Sequence, residues 1–302
     1  MSAVVLERQT FGMRARGMGR STADFFRLLS ARKAGLIGFA GVAFFTLMTL
    51  LGPVFVKAQT NFDVTSIYLP PSSTHLLGTD FQGRDVLAQI INGGRDILVV
   101  AALAALFSTL IAVGLGAFSA TVGGWVDTAI VAFTDVVLTI PQLPVLVVVA
   151  AVVKPSSFIV LAVLLALLSW AGLLRQVRAQ VLSLKERDFV EAARSLDLGI
   201  PHIVFREILP LMRSYIVIHF ILAMTGAIYA QTALIVLGLV PLSGQNWGIM
   251  IYFADSQGAL YFQNAFWYVM SPILAIVLFQ LSLVMLVSAL EDIFNPQLRA
   301  AA

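Results

Sequence analysis

Residues 97–126 read ILVVAALAALFSTLIAVGLGAFSATVGGWV and contain no charged side chain. About 20 apolar residues in a helix are enough to cross the hydrocarbon core of a bilayer, so this stretch is long enough for one crossing. The glycines at 114, 116, 123 and 124 would let a second helix approach closely. The stretch therefore predicts a transmembrane helix that packs against other helices.

Further uncharged stretches lie on both sides of this one. Those long enough for a crossing are 34–56, 136–153 with two preceding turns from Trp125, 155–174, 214–234 and 256–290. The uncharged run that contains 214–234 continues to residue 254, but Pro241, Ser243 and Gly244 interrupt it. That interruption favours a re-entrant or surface loop after the helix. The predicted fold class is an all-α membrane protein with six transmembrane helices.

The composition excludes a soluble protein of two domains, which the length of 302 residues would otherwise allow. Hydrophobic residues make up 59%, charged residues 12%, and the mean hydropathy is +0.93. The absence of cysteine excludes disulfides, thiolate metal sites and cysteine nucleophiles. A net charge of +3 is too small to indicate a nucleic-acid partner.

The distribution of Lys and Arg predicts the orientation, because short cytoplasmic loops carry an excess of both. Of the 19 basic residues, 15 lie in segments that share one side of the membrane: 1–33, 175–213 and 292–302. The remaining four lie in 57–95 and at Lys154. Both termini and the 175–213 loop are therefore expected in the cytoplasm, and 57–95 outside it.

The chain divides accordingly into segments. Residues 1–33 are expected to form a cytoplasmic segment. Because they precede the first predicted helix, that helix begins too late in the chain to be part of a cleaved secretion signal. Ser21-Thr22-Ala23-Asp24 matches the pattern of a capping box and predicts a short interfacial helix through Leu29. The first transmembrane helix, 34–56, and the extracytoplasmic loop precede a five-helix core of 96–291.

Reactive groups are sparse. The orientation separates His75, His202 and His219, so they cannot share one metal ion. No lysine follows a glycine, so the chain has no phosphate-binding loop, and we expect no catalytic, metal or cofactor-binding residue in it. Ion-coupled transporters usually carry ionisable groups in mid-membrane. In this chain only Asp127 and Asp135 come near that depth. We interpret them as a solvated helix face near the cytoplasm. An ion-coupled secondary transporter remains an alternative, but energy from a partner is favoured.

The longest predicted cytoplasmic loop, 175–213, has internal structure. Residues 181–196 place Leu182, Phe189, Ala193 and Leu196 at helical spacing with charges between them, which indicates an amphipathic helix. The sequence Asp-Leu-Gly-Ile-Pro at 197–201 breaks that helix. A second short helix, 202–208, is expected to end before Pro210. This helix–turn–helix knob is suited to the groove of another protein.

The knob resembles a known family motif. Glu191-Ala192-Ala193, followed by Ile208-Leu209-Pro210, is similar to the EAA loop of permease subunits of binding-protein-dependent ABC importers. Residues 75–87, HLLGTDFQGRDVL, resemble the stretch after the first span in the shorter, C-type subunit of the dipeptide/oligopeptide/nickel group. The likeness covers about residues 25–298.

The resemblance implies a type I ABC importer permease in a bacterial or archaeal cytoplasmic membrane. It implies a heterodimer with a second permease, two cytoplasmic ATPase subunits that bind ATP and Mg, and an extracytoplasmic substrate-binding protein. The surface that contacts the ATPases would consist of Glu191, Ala192, Ala193, Arg194, Leu196, Asp197 and Gly199. Gln231 and Thr232 are the polar residues expected to face the translocation path, with a helix–helix hydrogen bond as the equal alternative.

Two departures from the family pattern lead to expectations. The family's glycine six residues after the motif glutamate is Asp197 here, and Gly199 follows two residues later, so we predict a positive φ at Gly199. The alternative keeps the turn at Asp197 itself, because aspartate tolerates the left-handed region better than most residues. The arginine usually found three residues before the third-span aspartate is Ala132, which leaves Asp135 without that partner. The ligand expected from the group is a di- or oligopeptide, with oligosaccharides and nickel chelates as alternatives.

Overall fold

The computed structural model describes Leu29 and residues 32–57, 62–241 and 244–294. The predicted interfacial helix before Leu29 and the tail after residue 294 lie outside the described residues. Within these ranges the regular structure is helical, apart from an isolated bridge between Thr79 and Asp85.

The helices are numbered in chain order, and the first two are separated by the long connection 56–85. The long ones are α1 (Lys33–Phe55), α2 (Val86–Val122), α3 (Gly124–Thr139), α4 (Gln142–Val153), α5 (Phe158–Lys185), α6 (Asp188–Ser195), α7 (Ile200–Val236), α8 (Trp247–Ser256) and α9 (Phe266–Phe294). Short 3₁₀ turns occur at Val64–Ser66, Ala259–Tyr261 and Gln263–Ala265.

Five of the described helices are long and apolar enough to cross a membrane, and the pair α3–α4 makes a sixth if it counts as one span. This agrees with six predicted crossings. The expectation of one continuous third helix is wrong, because α3 and α4 meet at 86°. The break falls at Ile140-Pro141, where proline disfavours the helical conformation of the residue before it.

Helix α2 begins at Val86, within the stretch predicted as a loop. The Asp85 carboxylate caps it by accepting a hydrogen bond from the Ala88 N–H at 2.7 Å. The charged pair Arg95-Asp96 therefore lies inside the helix rather than before it. The positions of the charged residues therefore predict a start for α2 that is later in the chain than the observed start at Val86.

Helix α7 runs without a break from the cytoplasm-predicted knob into the apolar region, so the expectation that Pro210 would end a separate short helix is wrong. Residues Ile203–Ile208 form a π-helical stretch, and the Leu209 N–H bonds to the Val204 carbonyl. The wider turn accommodates Pro210, which lacks an N–H and would clash with the carbonyl four residues earlier in a regular helix.

Helix α2 is central and packs most extensively on α5 and α7, while α1 packs on α9. A Cβ built at Gly116 would lie 3.0 Å from the Leu174 carbonyl oxygen on α5, so this glycine permits close approach as expected. Nothing lies within 4 Å of such a Cβ at Gly114, Gly123 or Gly124. Gly123 and Gly124 instead have positive φ at the junction of α2 and α3.

The segment 62–85 folds over the starts of the helices at the end of the bundle opposite α6. Its fully buried Asp80 accepts hydrogen bonds from the backbone N–H groups of Gln82 and Arg84, both at 2.8 Å. The Arg84 and Gln89 side chains donate to the same carboxylate at 2.8 and 2.9 Å. Stretch 75–87, which carries the resemblance to the family, is thus organised around the buried Asp80 carboxylate, and hydrogen bonds compensate its burial.

Candidate functional site

The knob consists of α6, the turn 196–199 and the first turns of α7 through residue 208. Helix α6 has one buried face, formed by Val190, which is 0% exposed, and Ala193. This face packs into an apolar cluster of buried residues from α2, α5 and α7: Ala117, Ala120, Val177, Val181, Ile203, Val204, Ile208 and Met212. The knob is therefore attached to three long helices at once.

A hydrogen bond strengthens the base of the knob. The Lys185 ammonium group at the end of α5 donates to the Ala120 carbonyl near the end of α2, at 3.0 Å. A cation at this position also interacts favourably with the carbonyl end of the α2 dipole. The two helix ends beneath α6 are thus joined by polar as well as apolar contacts.

The turn of the knob is built on Asp197, which has φ +54°, whereas Gly199 has φ −62°. The Leu198 N–H bonds to the Ala193 carbonyl at 3.1 Å, and the Asp197 N–H to the Arg194 carbonyl at 2.9 Å. This pair of bonds is the Schellman motif, which requires a left-handed residue at the position of Asp197. The predicted positive φ at Gly199 is wrong, because aspartate tolerates the left-handed region and closes the helix where the family has glycine.

The outer face of the knob carries most of the residues expected to contact the ATPases. Glu191, Ala192, Arg194, Leu196, Asp197 and Gly199 are exposed. Ala193 is 5% exposed and faces the apolar cluster, so its side chain anchors the knob instead of lining its surface. No ion pair involves Glu191 or Arg194 in the described part of the chain, which leaves both charges available to another protein.

Two apolar side chains enlarge this face beyond the predicted set. Leu196 is 73% exposed, and Phe205 and Ile200 in the first turns of α7 are 70% and 49% exposed. All three belong to the knob, so the exposed surface of the knob is partly apolar. Neither residue belongs to the predicted contact set, because Ile200 lies in the predicted break 197–201 and Phe205 in the separate short helix predicted over 202–208.

Helices α3 and α5 are joined by two arginine–carboxylate pairs. Arg178 donates to both oxygens of Asp127, at 2.6 and 2.5 Å, and the Ser119 hydroxyl also donates to this carboxylate. Arg175 pairs with Asp135, one oxygen of which accepts from its Nε at 3.0 Å. The interpretation of these aspartates as a solvated face holds for Asp135, whose side chain is 48% exposed, but not for Asp127, which is 17% exposed and held by Arg178. An arginine of α5 serves Asp135 where the family's α3 arginine is missing.

A half-open cavity of about 310 Å³ lies at the end of the bundle opposite the knob. Its lining includes Asp96 from α2, Ser156 before α5, Gln231 from α7 and Asn246 before α8. Gln231 is 0% exposed, and its Nε2 donates to the Ile97 carbonyl on α2 at 2.7 Å. The helix–helix hydrogen bond, which was the alternative to a position in the translocation path, is therefore present at Gln231, a residue that also lines the cavity.

Thr232, the other residue expected to face the path, is not among the residues that line this cavity. Its buried hydroxyl has no hydrogen-bond partner among the described residues. Asp96, which is not among the residues predicted for the path, lines the cavity because α2 begins earlier than expected.

The described histidines lie apart from one another. His75 contacts Asp85 at 2.9 Å, His202 contacts Glu207 at 3.5 Å, and the His219 ring packs 4.2 Å from the centre of the Tyr215 ring. No three His, Cys, Asp or Glu residues in the described ranges are grouped so that they could hold a metal ion. The functional candidates on this chain are therefore surfaces and a cavity.

This chain is similar to proteins of one known family. A family model described as the inner membrane component of binding-protein-dependent transport systems matches residues 112–300. A Brucella suis protein described as a candidate peptide permease is 33% identical over 282 residues, which cover 93% of this chain and 91% of that protein. The dipeptide transport system permease protein DppC of Bacillus subtilis is 29% identical over 92% of this chain and 86% of its own length.

A third relative has a similar name. The oligopeptide transport system permease protein OppC of Mycobacterium bovis is 33% identical over 189 residues, which cover 62% of this chain and 65% of that protein.

Proposed function

Because this chain belongs to the family of inner membrane components of binding-protein-dependent transport systems, we propose that it is the permease subunit of an ATP-driven peptide importer. The family is a transport component rather than a catalyst. The names of the relatives support peptide as the cargo. In this assignment a second permease completes the path, and an extracytoplasmic binding protein delivers the peptide.

The single observation that carries the mechanism is the two-sided knob. Its inner face is fixed by Val190 and Ala193 to the ends of three long helices, and its outer face leaves Glu191, Arg194 and Leu196 exposed. In the proposal, a cytoplasmic ATPase subunit docks on this outer face and binds ATP and Mg itself. Movement of the docked ATPase then reaches α2, α5 and α7 together, because a packed apolar contact transmits displacement without melting.

The proposed orientation places the knob and both termini in the cytoplasm. The excess of Lys and Arg on the side of residues 175–213 supports it. Segment 62–85 and the cavity lined by Gln231 then face the outside, where a delivered peptide would enter. Thr232 follows Gln231 on α7 and belongs to the same proposed path.

Glu191→Lys tests the docking surface. Glu191 is exposed between Arg187 and Arg194, so a third positive charge would repel a basic groove that receives the acidic side chain. We expect the variant to insert into the membrane normally, to retain less ATPase on co-purification, and to import labelled trialanine at least tenfold more slowly.

Glu186→Lys is the matched control, because Glu186 is also exposed but lies at the end of α5 outside α6. It should retain the ATPase and the uptake of the unaltered protein. Normal co-purification and uptake with Glu191→Lys would contradict the docking surface. Transport by this chain without an ATPase, driven by a proton gradient, would contradict the importer itself.

A further inference from the structure

Helix α3 is attached to the rest of the molecule differently from its neighbours. Among the described residues, the apolar cluster beneath the knob contains side chains of α2, α5 and α7 and none of α3. Of the 16 residues of α3, only Thr134 is buried. Apolar contacts therefore restrain α3 less than its neighbours, because other helices enclose few of its side chains.

The Asp127 carboxylate of α3 joins three helices beside the knob. Arg178 of α5 donates to both of its oxygens, at 2.6 and 2.5 Å, and the Ser119 hydroxyl of α2 donates to one of them. Lys185 at the end of α5 donates to the carbonyl of Ala120, the residue after Ser119. A bidentate arginine–carboxylate pair fixes both distance and angle, which apolar contacts do not. This pair is therefore a rigid contact between α5 and α3 at the base of the knob.

The other end of the α3–α4 pair reaches the cavity opposite the knob. Helix α4 follows α3 after the bend of 86° and ends at Val153. Residues 155–158, which come shortly after that end, line the half-open cavity. Helices α3 and α4 thus connect Asp127 with the wall of the cavity by a route separate from the continuous helix α7.

The second pair between α3 and α5 is more exposed than the first. The side chains of Arg175 and Asp135 are 49% and 48% exposed, against 28% for Arg178 and 17% for Asp127. Solvent and salt weaken a charge interaction between exposed groups. The Asp127–Arg178 pair is therefore the stronger connection, and the exposed pair serves as an internal comparison.

We propose that the Asp127–Arg178 pair couples movement of the knob to α3 and α4, and through them to the cavity wall at 155–158. This inference rests on the proposed function, since an ATPase docked on the knob supplies the movement. Asp127 and Arg178 are positioning residues in this role and contact neither ATP nor peptide. Without the pair, the ATPase still docks and hydrolyses ATP, but α3 follows α5 incompletely and fewer peptides are imported per ATP.

The test measures the number of peptides imported per ATP hydrolysed. The assembled complex is placed in lipid vesicles with the binding protein, ATP and labelled trialanine. We expect Asp127→Asn to retain the ATPase on co-purification and to lower this ratio about fivefold or more, which is the lower end of typical coupling between sites. Arg178→Lys keeps the charge without the bidentate geometry, so its ratio should be intermediate. A purely structural role would reduce the amount of assembled complex and leave the ratio of the remaining complex unchanged.

Asp292→Asn is the matched control. Asp292 pairs with Arg32 at 2.5 Å and joins the ends of α9 and α1, two helices that contribute no described residue to the apolar cluster beneath the knob. This variant should leave the ratio unchanged. Asp135→Asn, which removes the exposed pair, should lower the ratio less than Asp127→Asn does.

An unchanged ratio with Asp127→Asn, or an equal loss with Asp292→Asn, would overturn coupling through this pair. If Asp127→Asn does not assemble, Arg178→Lys decides: a lowered ratio supports the coupling, and an unchanged one assigns the pair to stability alone. These outcomes leave the importer itself intact. Absence of ATP-dependent uptake of trialanine by the unaltered complex would instead contradict the proposed function, and the coupling with it.

Discussion

At the residue scale, the left-handed conformation of Asp197 affects the stability of the turn after α6. A left-handed conformation costs a non-glycine residue about 1 kcal/mol, and a carboxylate at the end of α6 also opposes the helix dipole. We therefore expect Asp197→Gly to raise the free energy of unfolding by about 1 kcal/mol. Gly199→Ala should change it by less than about 0.5 kcal/mol, because φ is negative and an added Cβ would meet Pro201 Cδ at 3.7 Å, an ordinary van der Waals contact. Thermal unfolding of the purified complex measures both, and a larger loss from Gly199→Ala than from Asp197→Gly would contradict this account of the turn.

Helix α6 has two faces with separate consequences at the element scale. Ala193 is buried against α2, α5 and α7, so Ala193→Leu should lower the free energy of unfolding by about 1–3 kcal/mol through overpacking. Ala192, its exposed neighbour, is the matched control for stability: Ala192→Leu should leave unfolding unchanged within about 0.5 kcal/mol and reduce ATPase retention. Unfolding curves and co-purification separate the two effects. The same loss of stability in both variants would mean that α6 does not dock by one face.

The orientation is a prediction at the scale of the whole molecule. Ser72 and Ser183 are exposed at opposite ends of the bundle, and single cysteines there are the only thiols in the chain. An impermeant thiol reagent applied to intact cells should label Ser72→Cys and spare Ser183→Cys, and both should react after permeabilisation. The reverse pattern in intact cells would invert the topology and move the knob outside.

Uncharged runs predict the approximate positions of the crossings because a bilayer excludes charge regardless of tertiary context. The start of α2 was misplaced for the same reason: Arg95 and Asp96 end the uncharged run, but the helix continues past them to its cap at Asp85. Proline acted differently at two positions. Pro141 breaks a span, whereas a π-helical stretch accommodates Pro210, and the residue type alone cannot distinguish these outcomes.

The candidate site was predictable where it depends on a local pattern. The exposed residues of α6 follow from its amphipathic spacing, although the inward position of Ala193 depends on which helices pack beneath it. The pairing of Arg178 with Asp127 joins residues that are 51 positions apart, and the exposure of Asp96 to a cavity requires α2, α5 and α7 together. Such contacts arise from packing between helices that are distant along the chain, and local sequence patterns do not reveal which helices pack together.

The uninterrupted course of α7 has a mechanical consequence. At 1.5 Å per residue it is a rod about 55 Å long, with the knob at one end and Gln231 near the other. Ile200 and Gln231 therefore lie on one continuous helix, with no loop between them. The π-helical stretch acts as one inserted residue, which offsets the angular phase of the two halves of the rod by about 100°. For a given position of the knob, that offset therefore determines which face of α7 after residue 208 is turned toward the neighbouring helices.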